Sequence, residues 1–214
     1  MASSSLRLLI ADDHPLFRLG VKELLLECPG VVSVDEASSG IEVLRKIDDK
    51  AYDCIVLDIH LPGENGLAVL GRIIKRRPMA RVIIFSMYPE DQYGVRSLKA
   101  GAAGYLTKNS DPELLKEAVL KVCRGERFIL PSLAEKLGEE VLSGRAGLPH
   151  ERLSDRELQV LTMIASGKTV TQIAAELNLS VKTVSTHRAH ILEKMKLRNN
   201  SELIRYALKN GLVL

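Results

Sequence analysis

The chain has 214 residues, 46% hydrophobic and 4% aromatic, with a net charge of +3, a length that fits two modest domains or one large one. No apolar stretch approaches the roughly 18–20 residues of a membrane span, and the polar start Met1-Ala2-Ser3-Ser4-Ser5 lacks the charged region and cleavage site of a signal peptide. Cys28, Cys54 and Cys123 are odd in number, far apart and without metal-type spacing, which suits a reducing, cytoplasmic setting and excludes a disulfide scaffold.

Residues 6–125 alternate short Val/Ile/Leu-rich runs with amphipathic stretches. Strands are predicted at Leu6–Ala11, Val31–Glu36, Cys54–Asp58, Arg81–Ser86 and Ala103–Thr107. Helices are predicted between and after them at Leu16–Glu27, Gly40–Ile47, Gly66–Lys75, Asp91–Ala100 and Pro112–Cys123. Asp111-Pro112 supplies an N-cap followed by proline at the first helical position, and Gly101 is a stop signal. Five β-α units imply a parallel sheet with helices on both faces. From Arg124 to His150 the periodicity weakens under Gly125, Pro131, Gly138, Gly144, Gly147 and Pro149, which reads as a linker around one helix near Ser132–Leu142.

Beyond the linker the pattern is purely helical. Ser154-Asp155-Arg156-Glu157 and Thr169-Val170-Thr171-Gln172 are capping boxes, the first opening a helix that stops at Gly167 and the second a helix to about Leu177. Asn178-Leu179-Ser180 forms a turn before a helix from Val181 to about Lys196, and a last helix runs from Asn200 or Ser201 to Gly211. The charge divides with the pattern: residues 150–214 hold ten Lys+Arg against six Asp+Glu, or +4, and residues 1–149 hold twenty against twenty-one, or −1. A basic excess confined to the helical part hints at a nucleic-acid partner there.

The strand ends carry chemistry. Cys54-Ile55-Val56-Leu57 has no solvated face, so it belongs mid-sheet, and ligands of open α/β sheets bind at the carboxyl ends of such strands. Asp58 stands at that end; alone it reads more readily as a turn residue. Asp12-Asp13, Ser86 and Lys108 end three other strands. Folded as a doubly wound sheet, Asp12, Asp13 and Asp58 meet at one edge and repel unless a cation sits among them. Few hard oxygen donors suit Mg²⁺, and a carboxylate beside it is a nucleophile for phosphoryl groups. Lys108 supplies a positive charge for phosphoryl oxygens and the Ser86 hydroxyl a hydrogen bond.

Residues 6–124 resemble the receiver domain of bacterial two-component response regulators in Asp12-Asp13, in Asp58 with Pro62-Gly63, in Ser86, and in Gly101-Ala102-Ala103-Gly104-Tyr105-Leu106-Thr107-Lys108. The resemblance implies a flavodoxin-like fold with Asp58 as phosphoacceptor. It implies Asp13 and Asp58 as direct Mg²⁺ ligands, Asp12 as a ligand through water, and the backbone carbonyl of His60 as a further ligand. Ser86 would close onto the phosphoryl oxygen, Lys108 would pair with it, and Tyr105 would turn inward as Ser86 moves. His60 and Tyr88, each two residues beyond a site residue, flank the site and tune acyl-phosphate lifetime.

On the helix from Val181, the residues Val181, Val184, Ile191, Leu192 and Met195 form one apolar stripe. Lys182, Thr183, Thr186, Ala189, His190 and Glu193 line the opposite arc, a face fit for a major groove. Ser154–Leu212 resembles the four-helix LuxR/GerE-type helix-turn-helix domain in Leu153-Ser154-Asp155-Arg156-Glu157, Ile173-Ala174 and Lys182-Thr183-Val184-Ser185-Thr186-His187. With the receiver in front, the whole resembles the NarL/FixJ class. By side-chain type, Lys182, Arg188 and Lys194 hold phosphates, with Thr183 and His190 on the same face. By resemblance, Ser185, Thr186 and Ala189 read bases. His187 and His190 read equally as helix-surface or structural residues.

The expected architecture is a receiver over residues 1–125, a linker over 126–149 and an all-α DNA-binding domain over 150–214. The expected function is transcriptional regulation, not enzymatic turnover. A sensor histidine kinase phosphorylates Asp58, and phosphorylation controls homodimerisation and binding to promoter DNA. A phosphorylation-independent regulator using its receiver as a dimerisation platform is the alternative. A haloacid-dehalogenase-type phosphatase is disfavoured, because His60 stands where its second Asp belongs.

Overall fold

The computed structural model describes residues 5–143 and 148–213 and divides into two units, the first running to Glu139 and the second beginning at Glu140. In the first, β1 (Leu6–Ala11), β2 (Val31–Ala37), β3 (Cys54–Leu57), β4 (Val82–Ser86) and β5 (Gly104–Thr107) form one sheet in the order β2-β1-β3-β4-β5, all pairs parallel. Parallel neighbours need a crossover, and each is a helix: α1 (Pro15–Leu26), α2 (Gly40–Asp49), α3 (Gly66–Arg76) and α4 (Glu90–Lys99), with α5 (Pro112–Cys123) after the last strand. Every residue of β3 and β4 is buried, as strands covered on both faces should be. The core joins Leu8, Ile10, Val56 and Ile83 of the sheet to Val21 and Leu25 of α1 and Val119 of α5.

The doubly wound sheet is the one the sequence predicts, with ends displaced by a residue or two. Asp58 lies just past β3, and β4 and β5 begin at Val82 and Gly104. Strand order reverses between β1 and β3, since the chain visits β2 on one side and then crosses to β3 on the other. That switch point opens a crevice at the carboxyl ends of β1 and β3.

The segment after α5 is not all free chain. Phe128 N donates to Ala103 O at 2.8 Å and Phe128 bridges to Gly104 in the parallel sense, so the backbone runs beside β5 before entering α6 (Pro131–Ser143). Gly144 and Gly147, expected as linker punctuation, lie outside the described residues. A short 3₁₀ turn over Pro149–Arg152 precedes the second unit's helices.

Those helices are α7 (Asp155–Ala165), α8 (Val170–Glu176), α9 (Val181–Lys194) and α10 (Asn200–Lys209). Both expected capping boxes form, Ser154 with Glu157 and Thr169 with Gln172. Leu158, Leu161, Ile173, Val184, Ile191, Leu203 and Ala207 make the core. The apolar stripe of α9 needs one correction: Val181 is 48% exposed, because it occupies the first helical turn, ahead of the Val184–Ile191 stretch that meets the core. The helix also ends at Lys194, since Lys196 takes a left-handed backbone (φ 55°) that cannot continue it. Among the described residues no helix is long and apolar enough to cross a membrane.

Candidate functional site

Strand register assembles the acidic residues. Ala11 pairs with Leu57, so the next residues, Asp12 and Asp58, stand side by side at the carboxyl edge. Asp58 N donates to Ala11 O at 2.9 Å and Asp12 N to Ala37 O at 3.1 Å. Ser86 pairs with Thr107, and Lys108 N donates to Ser86 O at 2.8 Å, which carries the lysine to the same edge. The Lys108 ammonium then lies 2.5 Å from Asp12 Oδ2 and 2.6 Å from Asp58 Oδ2, with all three side chains under 5% exposed. His60 N donates to Asp58 Oδ1 at 3.1 Å. Behind Asp58, helix α3 approaches so closely that a Cβ on Gly66 would fall 2.0 Å from the Asp58 carbonyl oxygen; only glycine fits there.

Burial pushes the Asp58 carboxyl above its ordinary range, and Lys108 offsets this only in part because Asp12 repels the same charge. Burial works against the Lys108 ammonium too, but two carboxylates outweigh it and hold the lysine charged, above its ordinary value. The two directions are compatible: one cation is shared between two anions, so the cation is better compensated than either anion.

Asp13 is half-buried, and its Oδ1 is buried without a hydrogen bond, although His14 Nδ1 lies 2.7 Å away, out of line for one. The ligand atoms of Asp12, Asp13 and His14 all lie within 4.8 Å of one another. Asp58, expected as a metal ligand with Asp13, has its Oδ2 on the Lys108 ammonium. Hard carboxylate oxygens, one of them orphaned, make a donor set that fits Mg²⁺.

The Ser86 hydroxyl is buried and accepts from Tyr88 N at 3.5 Å. Tyr105 is fully buried, its hydroxyl donating to Tyr88 O at 2.6 Å. Burial, then the Asp58 charge, raises the Tyr105 phenol well above its ordinary value, so it remains a donor. Ser86 and Tyr105, expected as a switch pair, thus meet through the Tyr88 backbone, but Tyr105, expected to turn inward only as Ser86 moves, is already inward while Ser86 is bonded to Tyr88.

In the second unit α8 and α9 are joined by the turn Leu177–Ser180, in which Asn178 takes φ 52° and Ser180 caps α9 by accepting from Thr183 N. This is a helix-turn-helix connection. Lys182, Ser185, Thr186, Ala189, His190 and Glu193 are exposed on α9 and Thr183 is half-buried. Thr186 Oγ1 donates to Lys182 O at 3.0 Å, which leaves its lone pairs outward. Two of the three cations expected on phosphates have intramolecular partners. Arg188 Nε donates to Asn200 Oδ1 at 2.6 Å. Lys194 Nζ donates to both oxygens of Glu157, at 2.9 and 2.7 Å. Lys194, expected on phosphates, thus also anchors the carboxyl end of α9 through Glu157. Burial works against the Glu157 carboxylate, but bonds from Lys194 and Ser154 outweigh it and lower its pKa. His190 Nδ1 is 3.9 Å from Glu157 Oε1. Burial, then Arg156, pushes the His187 imidazole below 6.5, so it favours a neutral, structural role.

Three residues of these sites escape a reading by sequence. His14 completes the Asp12–Asp13 cluster, and its adjacency was the available signal. Phe17 lays its ring 4.6 Å from the Lys108 ammonium, a contact made across 91 residues of chain. Glu157 shows itself only as a capping residue until Lys194 is found beside it.

Two family models match the chain, one for the response regulator receiver domain over residues 8–120 and one for the luxR family of bacterial regulatory proteins over residues 151–207. The oxygen regulatory protein NreC of Staphylococcus carnosus is 35% identical, over 97% of this chain and 99% of its own. The response regulator GacA of Pseudomonas viridiflava is 34% identical, over 97% and 98% respectively. Among solved structures, RcsB from Salmonella enterica serovar Typhimurium, bound to the promoter P1flhDC in the presence of phosphomimetic BeF3-, superposes with a TM-score of 0.65. It is 25% identical over 98% of this chain and 100% of its own.

Proposed function

The chain belongs to the two-component response regulators that carry a receiver and a LuxR-type DNA-binding domain, and from that premise we propose that phosphorylation of Asp58 by a sensor histidine kinase controls its dimerisation and its binding to promoter DNA. The observation that carries this reading is Lys108, buried between Asp12 and Asp58 at 2.5 and 2.6 Å. A lysine so placed is positioned to exchange a carboxylate oxygen for a phosphoryl oxygen.

A carboxylate oxygen of Asp58 attacks phosphorus in line, the bond to the donor's imidazole nitrogen breaks, and an acyl phosphate remains. Asp13, Asp58 and the His60 carbonyl would hold Mg²⁺, with Asp12 acting through water; bound there, the ion neutralises charge on the phosphoryl oxygens. Lys108 pairs with one phosphoryl oxygen and the Ser86 hydroxyl donates to another. The move of Ser86 withdraws the acceptor from Tyr88 N, and Tyr88 carries the change to Tyr105.

On DNA, the second domain presents α9 to a major groove. Lys182 sets register on phosphates, Thr183 and His190 flank the contact, and Ser185, Thr186 and Ala189 face base edges, with Arg188 held by Asn200 at the rim. Two copies would read half-sites about one helical turn apart. The promoter-bound RcsB relative supports this use of the fold. The protein would act in the cytoplasm, where its DNA is.

Incubation with Mg²⁺ and radiolabelled acetyl phosphate tests the proposal. Stoichiometric labelling of the wild-type chain that vanishes in Asp58→Asn, with tighter DNA binding by the labelled form, is the expected result. Equal DNA binding with and without label would favour a phosphorylation-independent regulator.

A further inference from the structure

The segment after α5 holds on to the first unit at a place of some consequence. Beyond the backbone bond from Phe128 N to Ala103 O, Leu133 is fully buried. It sits where Gly94 of α4 leaves room: a Cβ on Gly94 would come 2.7 Å from Leu133 Cδ1. Ser132 Oγ donates to Glu90 Oε1 at 2.5 Å, and Lys136 pairs with Asp91. Residues 128–136 thus form a strap across β5 and the first turns of α4.

Its seat is connected to the buried switch residues by direct contacts. Tyr88 accepts from Tyr105 and donates to Ser86. The Tyr88 ring lies 4.9 Å from the ring of Tyr93, and Tyr93 directly precedes the Gly94 seat in α4. Gly104, beside Tyr105, is the residue that Phe128 bridges. One lever, Tyr88, touches both supports of the strap. Phe128, part of the first unit's core, anchors the start of the strap, whereas the hold on residues 131–136 is modest, consisting of one buried leucine and two exposed polar pairs, and exposed pairs contribute little.

We infer that residues 131–136 of the strap are docked when Ser86 and Tyr88 are bonded and are released when the site takes up a phosphoryl group, so that the chain leading to the DNA-binding domain has two lengths. The inference rests on Asp58 being the phosphoacceptor. Release would free the six residues 131–136, the first turns of α6 and about 9 Å of helical rise, while Phe128 stays in the receiver's core. A ligand that favours one state shifts the equilibrium only by its differential affinity. Loosening the strap must therefore tighten phosphoryl-mimic binding by the same factor that the mimic loosens the strap.

The test uses the full chain and the phosphoryl mimic beryllofluoride with Mg²⁺. Hydrogen exchange is followed at the amides of residues 131–137, and mimic affinity is measured by ¹⁹F NMR for wild type, Asp58→Asn, Leu133→Ala and Lys136→Glu. The expected result is exchange at 131–137 about tenfold faster with the mimic, and mimic affinity about tenfold higher in Leu133→Ala. Lys136→Glu, a surface change that leaves the core intact, should shift both readouts in the same direction by a smaller factor. If the mimic binds wild type but not Asp58→Asn, yet exchange at 131–137 and the affinities of both variants are unchanged, the strap coupling is overturned and the phosphoacceptor reading stands. Equal binding by wild type and Asp58→Asn, or none by either, overturns the phosphoacceptor reading and the coupling with it.

Discussion

The two units hold their lysines in opposite ways. At the carboxyl edge of the sheet, Lys108 is buried, shared by two carboxylates and covered by Phe17. On α9, Lys182 is exposed to solvent, while Lys194, at the far end of the same helix, is tied to the buried Glu157. A buried cation among anions is local machinery whose removal leaves charges stranded. An exposed cation contributes little to folding and is available to a polyanion, where its value appears as released counterions. Position decides between these roles, since the residue type is the same.

The largest expected effect breaks the first half of that contrast. Lys108→Met should lower the stability of the first unit by about 3 kcal/mol in metal-free buffer, because Asp12 and Asp58 lose their counter-charge. Urea denaturation followed by circular dichroism measures it; an unchanged midpoint would mean that the lysine compensates nothing. Asp58→Asn should act the other way. Burial raises the Asp58 pKa, so its contribution to stability is present below about pH 3.8 and lost as pH rises through the folded value. At neutral pH the ionised form is a burden, and the amide variant should melt at a higher temperature without Mg²⁺.

In the second unit, Lys194→Met should cost about 1–2 kcal/mol by leaving Glu157 poorly satisfied, yet leave the salt dependence of DNA binding nearly as it was. Lys182→Ala should do the reverse, with stability unchanged and the slope of log K against log salt reduced by about 1. Filter binding at several salt concentrations, paired with urea melts, separates the two. If Lys194→Met alone flattened the salt slope, its ammonium would be a phosphate contact after all. The smallest effect is on pH. His187 titrates below 6.5 and Glu157 below its ordinary 4.5. Both contributions are present above those ordinary values and lost as pH falls through the folded ones. The second unit should therefore weaken gently below pH 6.5 and further in the acid range. His187→Gln should remove the first step only.

Much of this was readable without coordinates. All five strands and the helices that follow them come from alternation between Val/Ile-rich runs and amphipathic stretches. The ends of α7, α8 and α9 come from Ser154, Thr169 and Ser180, whose caps form as expected. The acidic edge was legible because Asp12, Asp58, Ser86 and Lys108 each directly end or follow an apolar run. What local sequence could not show shares a cause. Val181 has the right spacing for the core stripe but sits a turn too early to reach it. Lys194 has the right type for a phosphate contact, but Glu157 lies beside it. The stretch after Arg124 has the composition of a linker, yet Phe128 and Leu133 dock it to β5 and α4.

By itself, then, the sequence determined the order of elements, their periodicity and which residue types stand at which strand ends, because these are local properties of neighbouring residues. Only the tertiary structure decided which charges meet. Lys108 finds Asp58 across 50 positions and Lys194 finds Glu157 across 37. Those pairings depend on strand register and helix packing, which are settled by the burial of apolar faces far from the charges themselves.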